Sequence, residues 1–564
     1  MKFSEMPYRR PDTGAVKAAF AALAKRAAAV SSDGEATALY RELDRTESDY
    51  ATMAQLASIR YTLDTRDAYW AAEREFYDAA TPEVSNAELG VYRALLANPH
   101  AAALDRTFGP VVTPGMKNAV LAMDERTLPL QQEDNALVSA YQKLYGAAMV
   151  TFDGRSLTLP QLGKYKESPD RAVRRAAYEA EAGYFDAHRA DFDELYGKMI
   201  VCRNKQAQLL GFADYSELSY VRMNRLGYGP AEVENYRAQV VRDVVPLCAE
   251  LMQLRWKRAG LTDVKFWDSP IAFADGNPAP NRAPAEMMEN CRRMYHELSP
   301  ETGEFIDFML ASDLFDVESR PGKAPGGYCE LIRNYSAPFI FANWNGTSAD
   351  VDVLTHEAGH AFEWYLASRD PSLPSGLTAP GMESCEIHSM SMEFFTAPWR
   401  ELFFAPADAK KYELAHAEDA FFFLPYGCMV DEFQHIMYRR PQLTPDERCE
   451  VWLSLEKKYR PWNDFGDLPF FSRGAGWQRQ LHIYECPFYY IDYCLAQTVA
   501  LQFFAARLRD PADAWQRYMR LVRRAGRDTY AGLVAAAGLR VPFETGSLAG
   551  VAAEVAGWVR GHQL

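Results

Sequence analysis

The chain has 564 residues, 48% hydrophobic and 24% charged, with a net charge of −15. That length exceeds what a single hydrophobic core supports, and that composition excludes a disordered or fibrous chain. The acidic balance disfavours nucleic acid and anionic membranes as partners, because both repel it at long range.

The opening stretch MKFSEMPYRRPDTGAVKAAF lacks the continuous apolar core of a secretory signal, and no apolar run reaches the length of a membrane span. Nine cysteines, scattered and never spaced C-x-x-C, fit reduced thiols in a cytoplasmic enzyme. In chain order, GAVKAAFAALAKRAAAV, EATALYRELDRTESDYATMAQLASIRYTL and NAELGVYRALLAN carry apolar residues at spacings of three and four, which predicts helix packed on helix. MVTFDGRSLTL, residues 149–159, alternates around Asp153-Gly154 and predicts a tight hairpin. A boundary near Pro160 is expected to separate an N-terminal helical region, 1–160, from residues 161–564. Ser168 is the expected N-cap of the next helix, with Pro169 at its first position. Helices then continue to about Leu261, and residues 274–287, with Pro278, Pro280 and Pro284, read as a loop.

The texture changes in RPGKAPGGYCELIRNYSAPFIFANWNGTSADVDVL: a glycine-rich loop, a strand from Pro338 to Trp344 and a turn at Asn345-Gly346. The strand reads either as a packed core strand or as an edge strand that pairs with an extended peptide, and both roles are compatible. It leads into SADVDVLTHEAGHAFEWY, a helix from Asp350 to about Ser368. On that helix His356 and His360 lie only about 40° apart and roughly 6 Å along the axis, so both imidazoles reach one ion. Glu357 points about 100° further round, which suits a general base rather than a ligand. Catalytic zinc takes three protein ligands and keeps a position open. The third donor is expected from GMESCEIHSMSMEFF, a second helix carrying Glu383, Glu386, His388 and Glu393. Glu383, Glu386 and Glu393 share a face, which favours a carboxylate, and His388 reads as a packing or outer residue. Gly359, without a side chain, would let the two helices approach closely.

HEAGH followed by ESCEIHSMSMEFF resembles the M3 family of zinc oligopeptidases, the group of thimet oligopeptidase and oligoendopeptidase F, and in particular its bacterial oligoendopeptidase F and Pz-peptidase branch. APGGYC, PFIFANWNGTSADVDVLTHEAGHAF and LHIYECPFYYIDYCLAQTVALQF extend the similarity, which runs from about Ser168 to the C-terminus. The resemblance implies a mainly α fold of two helical lobes enclosing a deep substrate channel, with a small β element beside the zinc helix. It makes 161–564 the catalytic region, with zinc helices at about 350–395 and a tyrosine-rich substrate segment at about 480–505. It implies one Zn2+ per chain on His356, His360 and Glu386, with Glu383 touching a ligand histidine. It places substrate holding and oxyanion stabilisation on His482, Tyr490 and Tyr493, with Tyr484, Tyr489, Phe341, Gly326 and Gly327 lining the peptide.

The implied activity is hydrolysis of internal bonds of oligopeptides, with Glu357 as general base. One alternative is a metallocarboxypeptidase or peptidyl-dipeptidase that grips a terminal carboxylate through Arg333, Arg400 or Arg473. Another is a non-catalytic, zinc-containing peptide-binding protein.

Overall fold

The computed structural model describes every residue except 321 and 325. Pro325, within the glycine-rich lead-in, therefore lies outside the described residues. Helices dominate, and the described sheets are a two-stranded hairpin and one sheet of three strands, a mainly α fold as the resemblance implies. The chain forms two compact units, each assembled from three segments: Met1–Val120, Ala279–Ala409 and Gln502–Arg540 in the first, Leu121–Pro278, Lys410–Leu501 and Val541–Leu564 in the second.

In the first unit the long helix Asp33–Leu63 starts where Ser32 accepts a hydrogen bond from the Glu35 N–H, satisfying one of the orphan donors of a helix start. It packs on helix Ala68–Leu96, with the Tyr50 and Tyr77 rings edge to face at 5.7 Å. Pro284, read as part of a loop, instead opens the helix Pro284–Leu298; a first helical position needs no N–H, so proline fits there.

The three-stranded sheet has Ala337–Trp344 at its centre, parallel to Phe315–Glu318 and antiparallel to Tyr328–Ile332. That order corrects the edge-strand alternative. Both hydrogen-bonding sides of Ala337–Trp344 are taken, and Phe339, Ile340 and Phe341 are buried. The strand exits at Gly346, with φ of 87°. There the Asn345 and Gly346 N–H groups donate to the Asp350 carboxylate at 2.9 and 2.7 Å. Asp350 belongs to the first turn of the next helix, Ala349–Ala367, so strand and helix are joined by a rigid corner.

Helix Met382–Thr396 crosses Ala349–Ala367 and is buried along almost its whole length. A Cβ built on Gly359 would stand 2.5 Å from the His388 carbonyl oxygen and 2.6 Å from Ser389 Cα. Backbone lies against backbone there, and only glycine permits it.

In the second unit Met149–Phe152 and Arg155–Thr158 form the expected hairpin, with Asp153 and Gly154 both at positive φ, as a two-residue turn with matched twist requires. The following helix is Arg171–Ala187, two residues later than its sequence signal. Asp170 caps it by accepting from Ala172 N, while Ser168 Oγ accepts from Asp170 N and forms a turn ahead of the helix. The glycine-rich stretch FSRGAGWQ, residues 471–478, is packed. Phe471, Ala475, Trp477 and Gln478 are buried, and a side chain on Gly474 would meet the Cys449 carbonyl oxygen at 2.2 Å.

Candidate metal centre

The corner at Asp350 fixes the start of helix Ala349–Ala367, and the spacing of four brings the rings of His356 and His360 to 5.2 Å between centroids at 80°. From the crossing helix, Glu386 Oε2 lies 3.3 Å from His356 Nε2 and 3.5 Å from His360 Nε2. Among the described residues these three offer donor atoms that all lie within 4.8 Å of one another. An ion with ligand bonds of about 2.0–2.1 Å in tetrahedral array separates its donors by about 3.3–3.4 Å. The two imidazole-to-carboxylate separations match that edge, and the N, N, O donor set suits a borderline divalent cation such as zinc.

Two of the donors are themselves held. His356 Nδ1 lies 2.7 Å from Glu393 Oε1, which orients the ring with Nε2 towards the shared point, where a bound ion would take its lone pair. Ser389 Oγ donates to Glu386 Oε2 at 2.9 Å. Burial alone would push the Glu386 carboxyl up, but His360 and His356 outweigh it and hold the group well below the ordinary carboxylate range. The carboxylate is therefore ionised and ready for a cation.

Glu357 stays out of the ligand set. It is buried, and burial raises its pKa against the opposing pull of His356 and His360, which favours proton uptake by the carboxylate. A Cβ on Gly327 would sit 3.8 Å from Glu357 Oε1 and 3.4 Å from the Phe341 carbonyl oxygen, so the glycine leaves room beside this carboxylate. Gly326 adopts a φ of 92°, and its carbonyl, like that of Ala324, accepts from Asn343 Nδ2. The loop is thus tied to the central strand.

The remaining candidates divide. Phe341 stacks on Tyr328 at 4.8 Å under the Lys323 ammonium, wholly buried, so its side chain is core and cannot line a peptide. Glu383 is buried at the first turn of its helix, and Gly381 makes room for its carboxylate. His388 is buried edge-on to Tyr518, its two ring nitrogens without hydrogen-bond partners among the described residues. Burial pushes its pKa down to about 3, so it packs as a neutral ring. Glu393, one of the candidate donors on its helix, is the partner of His356; its signal is the seven-residue step from Glu386, two turns along one face.

The tyrosine-rich segment belongs to the second unit. His482, on the short helix Leu481–Glu485, contacts Tyr490 edge to face at 4.8 Å, with Tyr489 and Tyr493 at 6.0 Å. All four are partly exposed. Tyr484 is not, being fully buried and stacked on Tyr141 at 4.0 Å, so it serves the core and not a substrate. Between that helix and the next, Tyr490–Arg509, Phe488 adopts a φ of 69°, a conformation that costs a bulky residue on the order of 1–3 kcal/mol. Arg225 donates to its carbonyl at 2.6 Å and Gln434 Oε1 accepts from its N–H at 2.9 Å. Those bonds hold the strained turn and with it the spacing of His482 to the tyrosines. Neither residue has a sequence signal, since they are 263 and 54 positions away.

Residues 3–123 match the model of the peptidase M3 N-terminal domain, and residues 164–556 match that of peptidase family M3. The chain is 24% identical over 252 residues to group B oligopeptidase PepB of Streptococcus agalactiae, covering 41% of this chain and 40% of that protein. It is 26% identical over 205 residues to the chromosomal oligoendopeptidase F of Lactococcus lactis subsp. cremoris, covering 36% and 33%. The chain thus spans two fifths or less of the length of these curated relatives. Over 100% of both chains it superposes on a structure of Pz peptidase A with an inhibitor, at a TM-score of 0.93 and 41% identity. An oligoendopeptidase F from Enterococcus faecium shares the fold alone, at 0.60 and 15%, over 97% of this chain and 96% of that one. With the family model spanning most of the sequence and the paired histidines and carboxylate falling inside it, the chain belongs to peptidase family M3.

Proposed function

We propose that this protein is a zinc-dependent endopeptidase that hydrolyses internal bonds of oligopeptides. The observation that carries the reading is the convergence of His356, His360 and Glu386 on one point, with Glu357 beside them and outside the set. His356, His360 and Glu386 would hold one zinc ion per chain, and Glu383 belongs to the surroundings of that set. When bound, such an ion acts as a Lewis acid towards water and a peptide carbonyl. Glu357 takes the proton of the attacking water and returns it to the departing amine. Gly326 and Gly327 leave space for peptide backbone, and the neighbouring strand Tyr328–Ile332, at the edge of its sheet, is suited to pair with it. By the sequence resemblance His482, Tyr490 and Tyr493 donate hydrogen bonds to the developing oxyanion, with Tyr489 as a neighbour on the peptide.

Support for oligopeptides as substrates comes from family membership and from the names of the relatives. Two of the cations that a terminal-carboxylate reading needs are committed elsewhere, Arg333 to Glu47 at 2.7 Å and Arg473 to Asp186 at 2.5 Å. A purely structural zinc would take four protein ligands, whereas three converge among the described residues. A cytoplasmic location belongs to the same proposal, with nine free cysteines and, among the described residues, no helix long and apolar enough to cross a membrane. So does the expectation that nucleic acid and membranes are not partners.

The test is product mapping by mass spectrometry on peptides blocked at both ends, with and without chelator, alongside Glu357→Gln. Internal cleavage that stops with chelator, and a variant that keeps zinc but loses turnover, are expected. Trimming confined to unblocked termini, or near-native kcat in Glu357→Gln, would overturn the assignment.

A further inference from the structure

Behind His482 runs a chain of two hydrogen bonds. Tyr426, on helix Pro406–Arg439, donates to Gln480 Oε1 at 2.6 Å, and Gln480 Nε2 lies 2.8 Å from His482 Nδ1. The direction of this chain follows from the phenol. Tyr426 is held under the Arg460 guanidinium, 4.6 Å above its ring, and burial raises its pKa, so it keeps its proton. Among the described residues Gln480 Oε1 is the acceptor for that half-buried hydroxyl, 2.6 Å away, and an O–H withdrawn from water needs one. The amide must therefore turn its oxygen to Tyr426 and its NH2 to the imidazole. An NH2 group only donates, so Nδ1 must accept, and the single proton of the neutral ring goes to Nε2. Burial keeps His482 below its ordinary pKa and hence neutral near pH 7. The flanking rings of Tyr489, Tyr490 and Tyr493 fix the plane of the imidazole.

We propose that Gln480, anchored by Tyr426, is a positioning residue that selects the Nε2–H tautomer of His482, so that His482 meets a peptide carbonyl oxygen as a neutral donor. The proposal rests on the peptidase reading for the identity of the acceptor, but the tautomer itself can be measured without turnover. It also divides the labour: a ring with its proton on Nε2 and its Nδ1 lone pair engaged has no free lone pair for a substrate, which leaves proton abstraction to Glu357.

The experiment is 15N NMR of histidine-labelled, zinc-loaded full-length protein at pH 7, with the His482 signals assigned by their loss in His482→Ala. A protonated Nε2 and an unprotonated Nδ1 are expected. In Gln480→Glu the carboxylate accepts from Nδ1–H, so the pattern should invert. kcat on a blocked peptide should then fall on the order of 10²-fold, as for loss of one oxyanion donor, with KM little changed. Gln480→Leu and Tyr426→Phe should give mixed tautomers and smaller losses, at unchanged zinc content. A protonated Nδ1 in the wild type, or an unchanged pattern and kcat in Gln480→Glu, overturns the proposal, and the wild-type spectrum decides even where a variant fails to fold. Wild-type kcat in His482→Ala would instead remove His482 from the oxyanion role, while the spectrum still judges Gln480.

Discussion

Replacing Gly359 by alanine adds one methyl where two helix backbones touch. The new carbon would stand 2.5 Å from the His388 carbonyl oxygen, 2.6 Å from Ser389 Cα and 2.8 Å from His388 C. Ordinary contact starts near 3.4 Å, and backbone atoms cannot rotate away as a side-chain tip can. Helix Met382–Thr396 must therefore retreat by about 1 Å, at the 1–3 kcal/mol that overpacking typically costs. Alanine in a helix interior otherwise gains about 1 kcal/mol over glycine, so the net destabilisation is about 0–2 kcal/mol, and stability alone is a blunt readout. Metal affinity is sharper. Glu386 rides on the retreating helix, and its oxygen now lies 3.3 and 3.5 Å from the two imidazole nitrogens. Adding about 1 Å to either separation spoils a tetrahedral set. Gly359→Ala should lower zinc affinity roughly 10–100-fold, the range for losing an orienting contact, as read by competition with a chromogenic chelator. Wild-type affinity together with a raised Tm would show that helix propensity decides at this position and that the close approach does not govern the centre.

Glu393→Ala should also weaken zinc binding by roughly 10–100-fold, because the His356 ring loses the carboxylate at Nδ1; an unchanged competition curve would count against that role. His435 is buried in the second unit, where burial, outweighing Asp431, pushes its pKa down to about 4 from 6.5. Between those values the unfolded chain takes up the proton first, so stability is kept above pH 6.5 and lost as pH falls towards 4, by about 3 kcal/mol in all. His435→Gln should flatten that part of the pH dependence in urea unfolding, and parallel wild-type and variant curves would refute the assignment. Asp170→Ala should destabilise by about 1 kcal/mol as a lost helix cap, whereas Ser168→Ala, which touches only the turn ahead of the helix, should do less; equal effects would restore the earlier boundary.

What was legible in the sequence was carried by short-range chemistry. The paired histidines, the Asp153-Gly154 hairpin and the strand before the zinc-type helix each depend on neighbours a few positions away, and each stands where the pattern placed it. Apart from Pro284, read as loop but opening a helix, the misreadings concern where a correctly recognised piece sits. Phe341 is in a strand as expected, but strand order is set by partners that alternation cannot reveal, and the centre of the sheet makes it core. Tyr484 lies among tyrosines of the substrate type yet faces Tyr141, from 343 residues earlier, and is sealed. The Ser168 start failed for a local reason: two acceptors two residues apart compete for the same kind of N–H, and Asp170 wins the helix.

The centre itself is one seam between two helices. On the first helix His356, Gly359 and His360 fall at zero, three and four; on the second Glu386, Ser389 and Glu393 fall at zero, three and seven. These are the spacings of a single stripe on each helix, so donor atoms, their hydrogen-bond partners and the residue that sets the helix separation occupy the same strip of surface. Packing and chemistry therefore cannot vary independently here. A change in contact distance at Gly359 is transmitted through His388 and Ser389 to Glu386 within the same turn of the helix, and a change at Glu393 to the Nε2 atom of His356. A motif that reads as five letters on one helix is complete only as an interface, which is why HEAGH alone names two donors and leaves the third open until the crossing helix is placed.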